Sequence, residues 1–293
     1  MRFATIDLNG AECAGIFQDE FYSFEDLFGK KMSMLDFIRH YENTSLPDFQ
    51  KIISEKKLKP TTSGKPTLKS PIPIPFRNVI CLGKNYADHA KEIAVLSKNK
   101  SNADYIPKKP VYFAKSAYPA VGDGEQIPIP GHITDQVDYE VELAVIIGKT
   151  IRNIEESEVE NAIFGYTILN DVTARDMQAS YGQWFFGKSL DGFCPIGPVI
   201  VSKDEIPFPI ELDLFCRVNG ETRQKSNTSD LIFDIPKVIS ELSQGIALYP
   251  GDIIATGTPA GVAMGMQPPK FLQKGDTVEC EIEKIGILTN TFV

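Results

Sequence analysis

The chain has 293 residues, enough to bury a large core in one or two domains. Apolar residues make up 42% and charged residues 24%, ordinary globular values that exclude a disordered chain. A formal net charge of −9 argues against nucleic acid or an anionic membrane surface as partner.

Residues 1–70 read as a small accessory domain. Met1–Leu8 and Ala14–Phe17 can pair as strands across an Asn9-Gly10 turn. Ser33–Tyr41 and Leu46–Lys57 have helical spacing, with Pro47 at a first-turn position of the second. His40 reads as a surface or capping residue rather than a ligand. The stretch from Thr61 to Pro66 is a linker by composition. A larger unit, residues 71–293, opens on the extended Pro71-Ile72-Pro73-Ile74-Pro75 and a short buried strand, Asn78–Gly83. His89 and Glu92 are three apart and share a face if this part is helical. A histidine beside a carboxylate is the usual form of an oriented general base; a surface ion pair is the plain alternative. Residues 97–109 are polar and charged and read as a loop, a candidate lid. Pro110–Lys115 is a strand ending in a lysine, Gly122–Pro130 is turn-rich, and His132 sits in a solvated loop.

The stretch from Asp138 to Asp191 organises the chain. Val141 to Ile147 is an apolar, β-branched run ending at Gly148, hence a strand. Glu140 and Glu142 then point to one face, Val141 and Leu143 to the other. Adjacent carboxylates on an otherwise apolar strand repel each other and are costly to desolvate, so a cation is expected between them. All-oxygen ligation suits Mg²⁺, Mn²⁺ or Ca²⁺. Asp171, after the apolar run 163–169, could complete the set. A sheet with a simply wet polar face is the alternative. The cluster Asn170, Asp171, Thr173, Arg175 and Asp176 favours a site, because functional residues concentrate where a rigid element ends in a loop.

Glu155–Phe164 has helical spacing. Gln178–Phe186 contains the single tryptophan, Trp184, and reads as an aromatic core cluster or as an apolar wall beside Lys188. Pro195–Val201 is a strand, and Leu212–Asn219 opens a hairpin at Asn219-Gly220. Asp230–Leu242 is amphipathic with Pro236 interrupting it. Gly251–Thr256 is a strand leading to the tight loop Gly257–Val262, whose glycines allow close backbone approach to a ligand. Gly275–Glu281 and Gly286–Phe292 form a closing strand pair. The five cysteines (Cys13, Cys81, Cys194, Cys216, Cys280) are scattered and read as buried thiols in a reducing compartment. Neither a signal peptide nor a membrane-length apolar run is visible, so a cytoplasmic location is expected.

Five blocks occur together in order: Gly83-Lys84-Asn85-Tyr86-Ala87-Asp88-His89; Asp138-Tyr139-Glu140-Val141-Glu142-Leu143; Gly165-Tyr166 with Asn170 to Asp176; Gly187-Lys188-Ser189-Leu190-Asp191; and Pro250-Gly251-Asp252 with Gly257 to Val262. In these, from about Asn78 to Asn290, the chain resembles the fumarylacetoacetate hydrolase family. The resemblance implies a strand-dominated α+β protein: a mixed β-roll or β-sandwich catalytic domain, a small N-terminal α/β domain, and a homodimer. It implies Glu140, Glu142 and Asp171 as ligands of Mg²⁺ or Mn²⁺, and Lys188 as the active-site lysine. His89 and Glu92 match a water-activating dyad carried on a segment that orders over the substrate. Arg175, Gln178 and Thr258 match positions that hold the substrate's carboxylate and oxo oxygens, and Lys84 and Tyr86 fall in a substrate-binding block. Lys84 stands where arginine is frequent; it keeps the charge and loses the bidentate geometry.

Within that family the chain looks most like the acylpyruvase and oxaloacetate decarboxylase branch. The implied activity is divalent-metal-dependent carbon–carbon bond cleavage of a small 2-oxo acid, giving pyruvate enolate. Hydratases and isomerases of 2-hydroxydienoates share the same blocks and supply the alternative enzyme reading. A non-catalytic protein that binds metal and a 2-oxo acid is the alternative of another class.

Overall fold

A computed structural model describes residues 1–62, 64–96 and 105–293. Positions 97–104 of the expected lid lie outside the described residues. The N-terminal hairpin, Arg2–Leu8 with Ala11–Phe17, turns at Asn9 and Gly10 with φ of 55° and 82°. Positive φ at both central residues is what a tight hairpin turn needs. Arg2–Leu8 also pairs antiparallel with Ile196–Ser202, so residues of the N-terminal segment extend the sheet of the larger unit. From there the main, ten-stranded sheet continues through Ile163–Asn170, Val141–Ile147, Ile253–Ala255, Val79–Gly83 and Val111–Lys115.

Every residue of Val141–Ile147 and of Ile163–Asn170 is buried. Near-continuous apolar strands of this kind need cover on both faces. One face is covered by a second, five-stranded sheet, in the order Glu221–Asn227, Asp213–Val218, Thr277–Ile282, Gly286–Phe292 and Gln126–Ile127. Its inward residues Leu214, Cys216, Val278 and Cys280 join Leu143, Val145 and Ile168 in one apolar cluster. Each such valine, leucine or isoleucine contributes about 1.5–3 kcal/mol on burial. The opposite face meets a phenylalanine-rich cluster of Phe3, Phe24, Phe37, Phe49 and Phe164 with Ala144 and Ile146. Phe24 and Phe37 stack at 4.0 Å between centroids. Glu140 and Glu142 belong by alternation to the same face as Ala144 and Ile146. The N-terminal segment thus covers one end of that face and the site occupies the other. The architecture is strand-dominated α+β, as the resemblance implies.

Several local expectations change. Residues 155–164 do not form one helix: a 3₁₀ turn, Glu156–Glu158, and one helical turn, Val159–Ala162, lead into a strand that starts at Ile163. Ile163 is claimed by pairing with Ile147 of the central strand, and Phe164 falls at the irregularity before Gly165 resumes the pairing. Pro236 starts a helix rather than interrupting one. Asp234 caps Ile235–Gly245, its carboxylate accepting from Lys237 N, and proline is tolerated in that first turn. Pro47 does the reverse: Asp48 caps Phe49–Lys56, so the proline lies outside the helix. The cysteines are free, with Cys13 half-buried and the rest buried. His40 and His132 are exposed. Among the described residues no helix is long and apolar enough to cross a membrane.

Candidate active site

Glu140 lies just before the strand Val141–Ile147, Glu142 within it, and Asp171 just after Ile163–Asn170. These strands pair antiparallel with Leu169 opposite Glu142 and Asn170 opposite Val141. Asp171 is thereby delivered beside Glu140, and Asp171 N donates to Glu140 O at 2.8 Å. The Asn170 side chain accepts from Glu140 N at 3.0 Å and fixes the strand entry. One oxygen from each of Glu140, Glu142 and Asp171 lies within 4.8 Å of the other two. All three are buried, at 4%, 1% and 0% exposure, so the wet-face alternative is wrong.

Cations surround two of the three. Lys188 Nζ donates to Glu140 Oε2 at 2.8 Å, Asp171 Oδ2 at 2.6 Å and Thr173 Oγ1 at 3.0 Å. Arg175 Nε donates to Asp138 Oδ2 at 2.8 Å, and its Nη2 lies 2.7 Å from Glu140 Oε1. Lys115 Nζ lies 2.8 Å from Asp171 Oδ1 and donates to the carbonyls of Val172 and Lys188. Burial opposes ionisation of Glu140, yet Lys188 and Arg175 hold its carboxyl far below the usual range. Burial also opposes the Lys188 ammonium, and Asp171 and Glu140 overcome it, so that lysine stays charged.

Glu142 differs. Its carboxylate accepts from Gly257 N at 2.9 Å, and no lysine or arginine among the described residues pairs with it. Burial pushes its carboxyl well up, and the charges on Asp171 and Glu140 add to this. A buried carboxylate crowded by two others, with no lysine or arginine paired to it among the described residues, fits a divalent cation, and the all-oxygen donor set suits Mg²⁺ or Mn²⁺. Carboxylate oxygens carry more than one lone pair, so those held by Lys188, Arg175 and Lys115 can still face an ion.

Facing this group is the helix Ala87–Leu96. His89 Nδ1 lies 3.2 Å from Glu92 Oε2, and His89 is 6% exposed. The same carboxylate accepts from Gly261 N, tying the helix to the loop 257–262. Gly261 has φ of 102°, and a Cβ there would meet Arg223 O at 2.0 Å, so only glycine fits. A cavity of about 260 Å³ is lined by Glu140, Glu142 and Lys188, by Arg175, Gln178 and Thr258, and by His89 and Lys84. Arg175 Nη1 donates to Gln178 Oε1 at 3.1 Å, and Thr258 Oγ1 accepts from Gln224 Nε2 at 2.8 Å. Glu92 and Asp171 stand behind this lining. Tyr86 does not join it: the residue is 2% exposed, and its hydroxyl finds no hydrogen-bond partner among the described residues.

The aromatic stretch splits. Tyr181, Phe185 and Phe186 are 61%, 46% and 46% exposed, so they are not core residues. Trp184 lines the cavity, edge-on to Phe113 at 5.3 Å between centroids, and Lys188 Nζ lies 5.1 Å from the Phe113 ring centre. The apolar wall beside Lys188 is therefore Trp184 with Phe113.

Three residues with structural weight escape sequence reasoning. Lys115 is 0% exposed; its signal was a lysine ending an apolar strand. Asp138 is 0% exposed and accepts from Tyr139, Ala263 and Met264 N–H groups as well as from Arg175. It headed the carboxylate run and so was visible without a role. Gln224 is also fully buried, accepting from Val141 N and donating to Thr258 and Pro259. It lies in a strand of entirely polar residues, where nothing marks one as inward-facing.

Comparison with known proteins agrees with this geometry. Residues 78–293 match the family model described as fumarylacetoacetate (FAA) hydrolase C-terminal. Oxaloacetate tautomerase YisK of Bacillus subtilis (strain 168) is 47% identical over 248 residues, 85% of this chain and 77% of that protein. A fumarylacetoacetate hydrolase from psychrophilic Exiguobacterium antarcticum is similar in structure, with TM-score 0.85 and 39% identity over 100% of this chain and 99% of its own. Maleylpyruvate hydrolase from Sphingobium sp. SYK-6, in complex with manganese(II) and pyruvate, matches with TM-score 0.77 and 31% identity over 100% and 99% of the two chains. A 2-hydroxyhepta-2,4-diene-1,7-dioate isomerase from Mycobacterium marinum matches with TM-score 0.69 and 31% identity over 100% and 98%. By the extent of these matches, the chain belongs to the fumarylacetoacetate hydrolase family of enzymes.

Proposed function

We propose that the protein is a divalent-metal-dependent enzyme that cleaves a carbon–carbon bond of a small 2-oxo acid, by acylpyruvate hydrolysis or by oxaloacetate decarboxylation, to give pyruvate. The observation that carries this reading is Glu142, a buried carboxylate with no directly paired cation among the described residues, in one cavity with the Lys188 ammonium and His89. Mg²⁺ or Mn²⁺ held by Glu140, Glu142 and Asp171 supplies a Lewis acid for the 2-oxo group.

The chain's own groups then divide the remaining work. Lys188 keeps a positive charge beside the carboxylate trio and stabilises negative charge as the enolate develops. Arg175 occupies the Gln178 carbonyl and so leaves the Gln178 NH₂ to donate to a substrate oxygen. Gln224 donates to the Thr258 oxygen, which turns the threonine proton toward the cavity. Glu92 favours the His89 tautomer protonated on Nδ1, so Nε2 is the basic nitrogen. In hydrolysis Nε2 takes a proton from water, the water oxygen attacks the C4 carbonyl, and the C3–C4 bond breaks. The C4 acyl fragment leaves with the water oxygen as a carboxylic acid, the electron pair of the broken bond becomes the enolate, and the proton held on Nε2 is returned to C3 to give pyruvate. In decarboxylation carbon dioxide leaves without water, and the same enolate remains.

A second reading draws support from the tautomerase relative. His89 would then move a proton between an enol oxygen and C3, with no carbon–carbon bond broken. One assay separates the two. Metal-stripped protein, with and without Mg²⁺, is given acetylpyruvate or oxaloacetate, and both pyruvate and enol absorbance are followed. Metal-dependent pyruvate above the metal-only background supports cleavage. Enol loss without pyruvate supports tautomerisation, and no change in either signal refutes both.

A further inference from the structure

We infer that Asp138 and Tyr139 are positioning residues for the His89–Glu92 pair: they hold the turn 261–264 against the carboxylate wall, and that turn holds Glu92. This rests on the functional reading above only in that His89 moves a proton, which hydrolysis and tautomerisation share.

Asp138 has no capacity left for an ion or a substrate. It is 0% exposed, and both its oxygens are taken. Oδ1 accepts from Tyr139 N at 2.9 Å and from Ala263 N at 2.7 Å. Oδ2 accepts from Arg175 Nε at 2.8 Å and from Met264 N at 3.1 Å. These donors fill the lone-pair sites of a carboxylate. The Asp138 backbone is fixed as well, because it pairs with Thr173, whose hydroxyl accepts from Lys188. One carboxylate therefore joins Arg175, which reaches Glu140, to the N–H groups that open the 3₁₀ turn Ala263–Gly265. Those N–H groups have no acceptor inside their own turn, so a charged outside acceptor decides where the turn sits.

Tyr139 continues the tie from the next position. Its hydroxyl donates to Gly261 O at 3.0 Å, and Gly261 N donates to the two Glu92 oxygens at 3.2 and 3.4 Å. Glu92 Oε2 in turn lies 3.2 Å from His89 Nδ1. The other end of the turn packs on the same carboxylate: a Cβ on Gly265 would meet Glu92 Oε1 at 2.0 Å. Glu92 is thus held between Gly261 and Gly265, and Asp138 fixes two of the residues between them. The path from the carboxylate wall to His89 runs through Arg175, Asp138, the turn and Glu92. A misplacement of about 1 Å along such a path can cost about 100-fold in rate without any change at the reacting groups.

The test is a double-mutant cycle on the Mn²⁺-loaded full-length protein. Asp138→Asn and Tyr139→Phe are each made alone and with Glu92→Ala. Turnover is read as acetylpyruvate hydrolysis or enol-oxaloacetate tautomerisation, whichever the wild-type protein catalyses. Asp138→Asn sets an amide NH₂ against N–H donors and should lower kcat about 10- to 100-fold. Tyr139→Phe removes one hydrogen bond and should lower kcat about 3- to 10-fold, with KM held within about threefold. In the Glu92→Ala background each further loss should shrink to less than about twofold, because the carboxylate being positioned is gone. Mn²⁺ affinity by calorimetry should stay within about threefold in both single variants, because the three metal ligands keep their own strand positions. Circular dichroism confirms folding, and the Tyr139→Phe cycle reads the same coupling where Asp138→Asn fails to fold. Losses that multiply in full with that of Glu92→Ala, or a fall in Mn²⁺ affinity as large as the fall in kcat, overturn the assignment alone. Wild-type protein that catalyses neither reaction, or whose turnover survives His89→Ala, overturns the functional reading, and the assignment falls with it.

Discussion

The two walls of the cavity are built differently. The carboxylate wall stands on two fully buried central strands in fixed register, and Lys188, Arg175 and Lys115 each have at least two protein partners there. The histidine wall is one helix, Ala87–Leu96, whose His89–Glu92 pair reaches the core through Glu92 and Gly261 N–H. Rigid strands suit the part that, on the proposed function, would hold the 2-oxo head, because that geometry must be the same for every substrate. A side-docked helix suits a group that, on the same proposal, would move a proton. The difference teaches that damage to the first wall should stop all chemistry, whereas damage to the second should stop the proton-dependent reaction alone.

The largest effect is expected at the first wall. Glu142→Ala should lower metal affinity by about 100-fold or more and remove both hydrolysis and decarboxylation. Metal content after dialysis, with pyruvate release, checks this; retained metal and activity would take Glu142 out of the ligand set. Lys115→Met should come next. It leaves Asp171 buried without one of its two ammonium partners, a loss of about 3–5 kcal/mol of stability by urea unfolding. Its metal affinity should fall by about 10- to 100-fold.

At the second wall, His89→Ala should lower acylpyruvate hydrolysis by about 10²- to 10⁴-fold and spare more of the decarboxylation. Equal losses in the two reactions would contradict the division between the walls. Glu92→Gln should cost less than His89→Ala, since an amide can still accept from Gly261 N–H while ceasing to stabilise a charged imidazole. The smallest effect belongs to His40→Ala, an exposed helix-end change that should alter stability by less than about 0.5 kcal/mol and leave turnover alone.

The first wall was largely legible in the sequence and the second partly so. Glu140, Glu142 and Asp171 could be read because strand alternation and the end of an apolar run are local features. Their burial was not readable, since it depends on the sheet and loops that cover them. The Asn9-Gly10 and Asn219-Gly220 turns were legible because positive φ is written into the residue types. The misread elements, residues 155–164, Pro47 and Pro236, are short segments in which helix and strand periods overlap or a proline has two roles. Gln224 and Lys115 were missed because inwardness is a tertiary property. Gln224 sits in a wholly polar strand, and Lys115 earns its partners from Val172 and Lys188, far along the chain. Tyr86 matched a motif, yet its side chain lies outside the cavity lining, because a motif transfers position and not orientation.

The most direct test of the account is a Mn²⁺ titration of metal-free wild-type protein, with pyruvate release from acetylpyruvate and oxaloacetate measured on the same samples. The account predicts a single ion bound per chain and pyruvate formation that rises in proportion to occupancy. Pyruvate formed at the same rate without bound metal, or no metal bound at all, would contradict it.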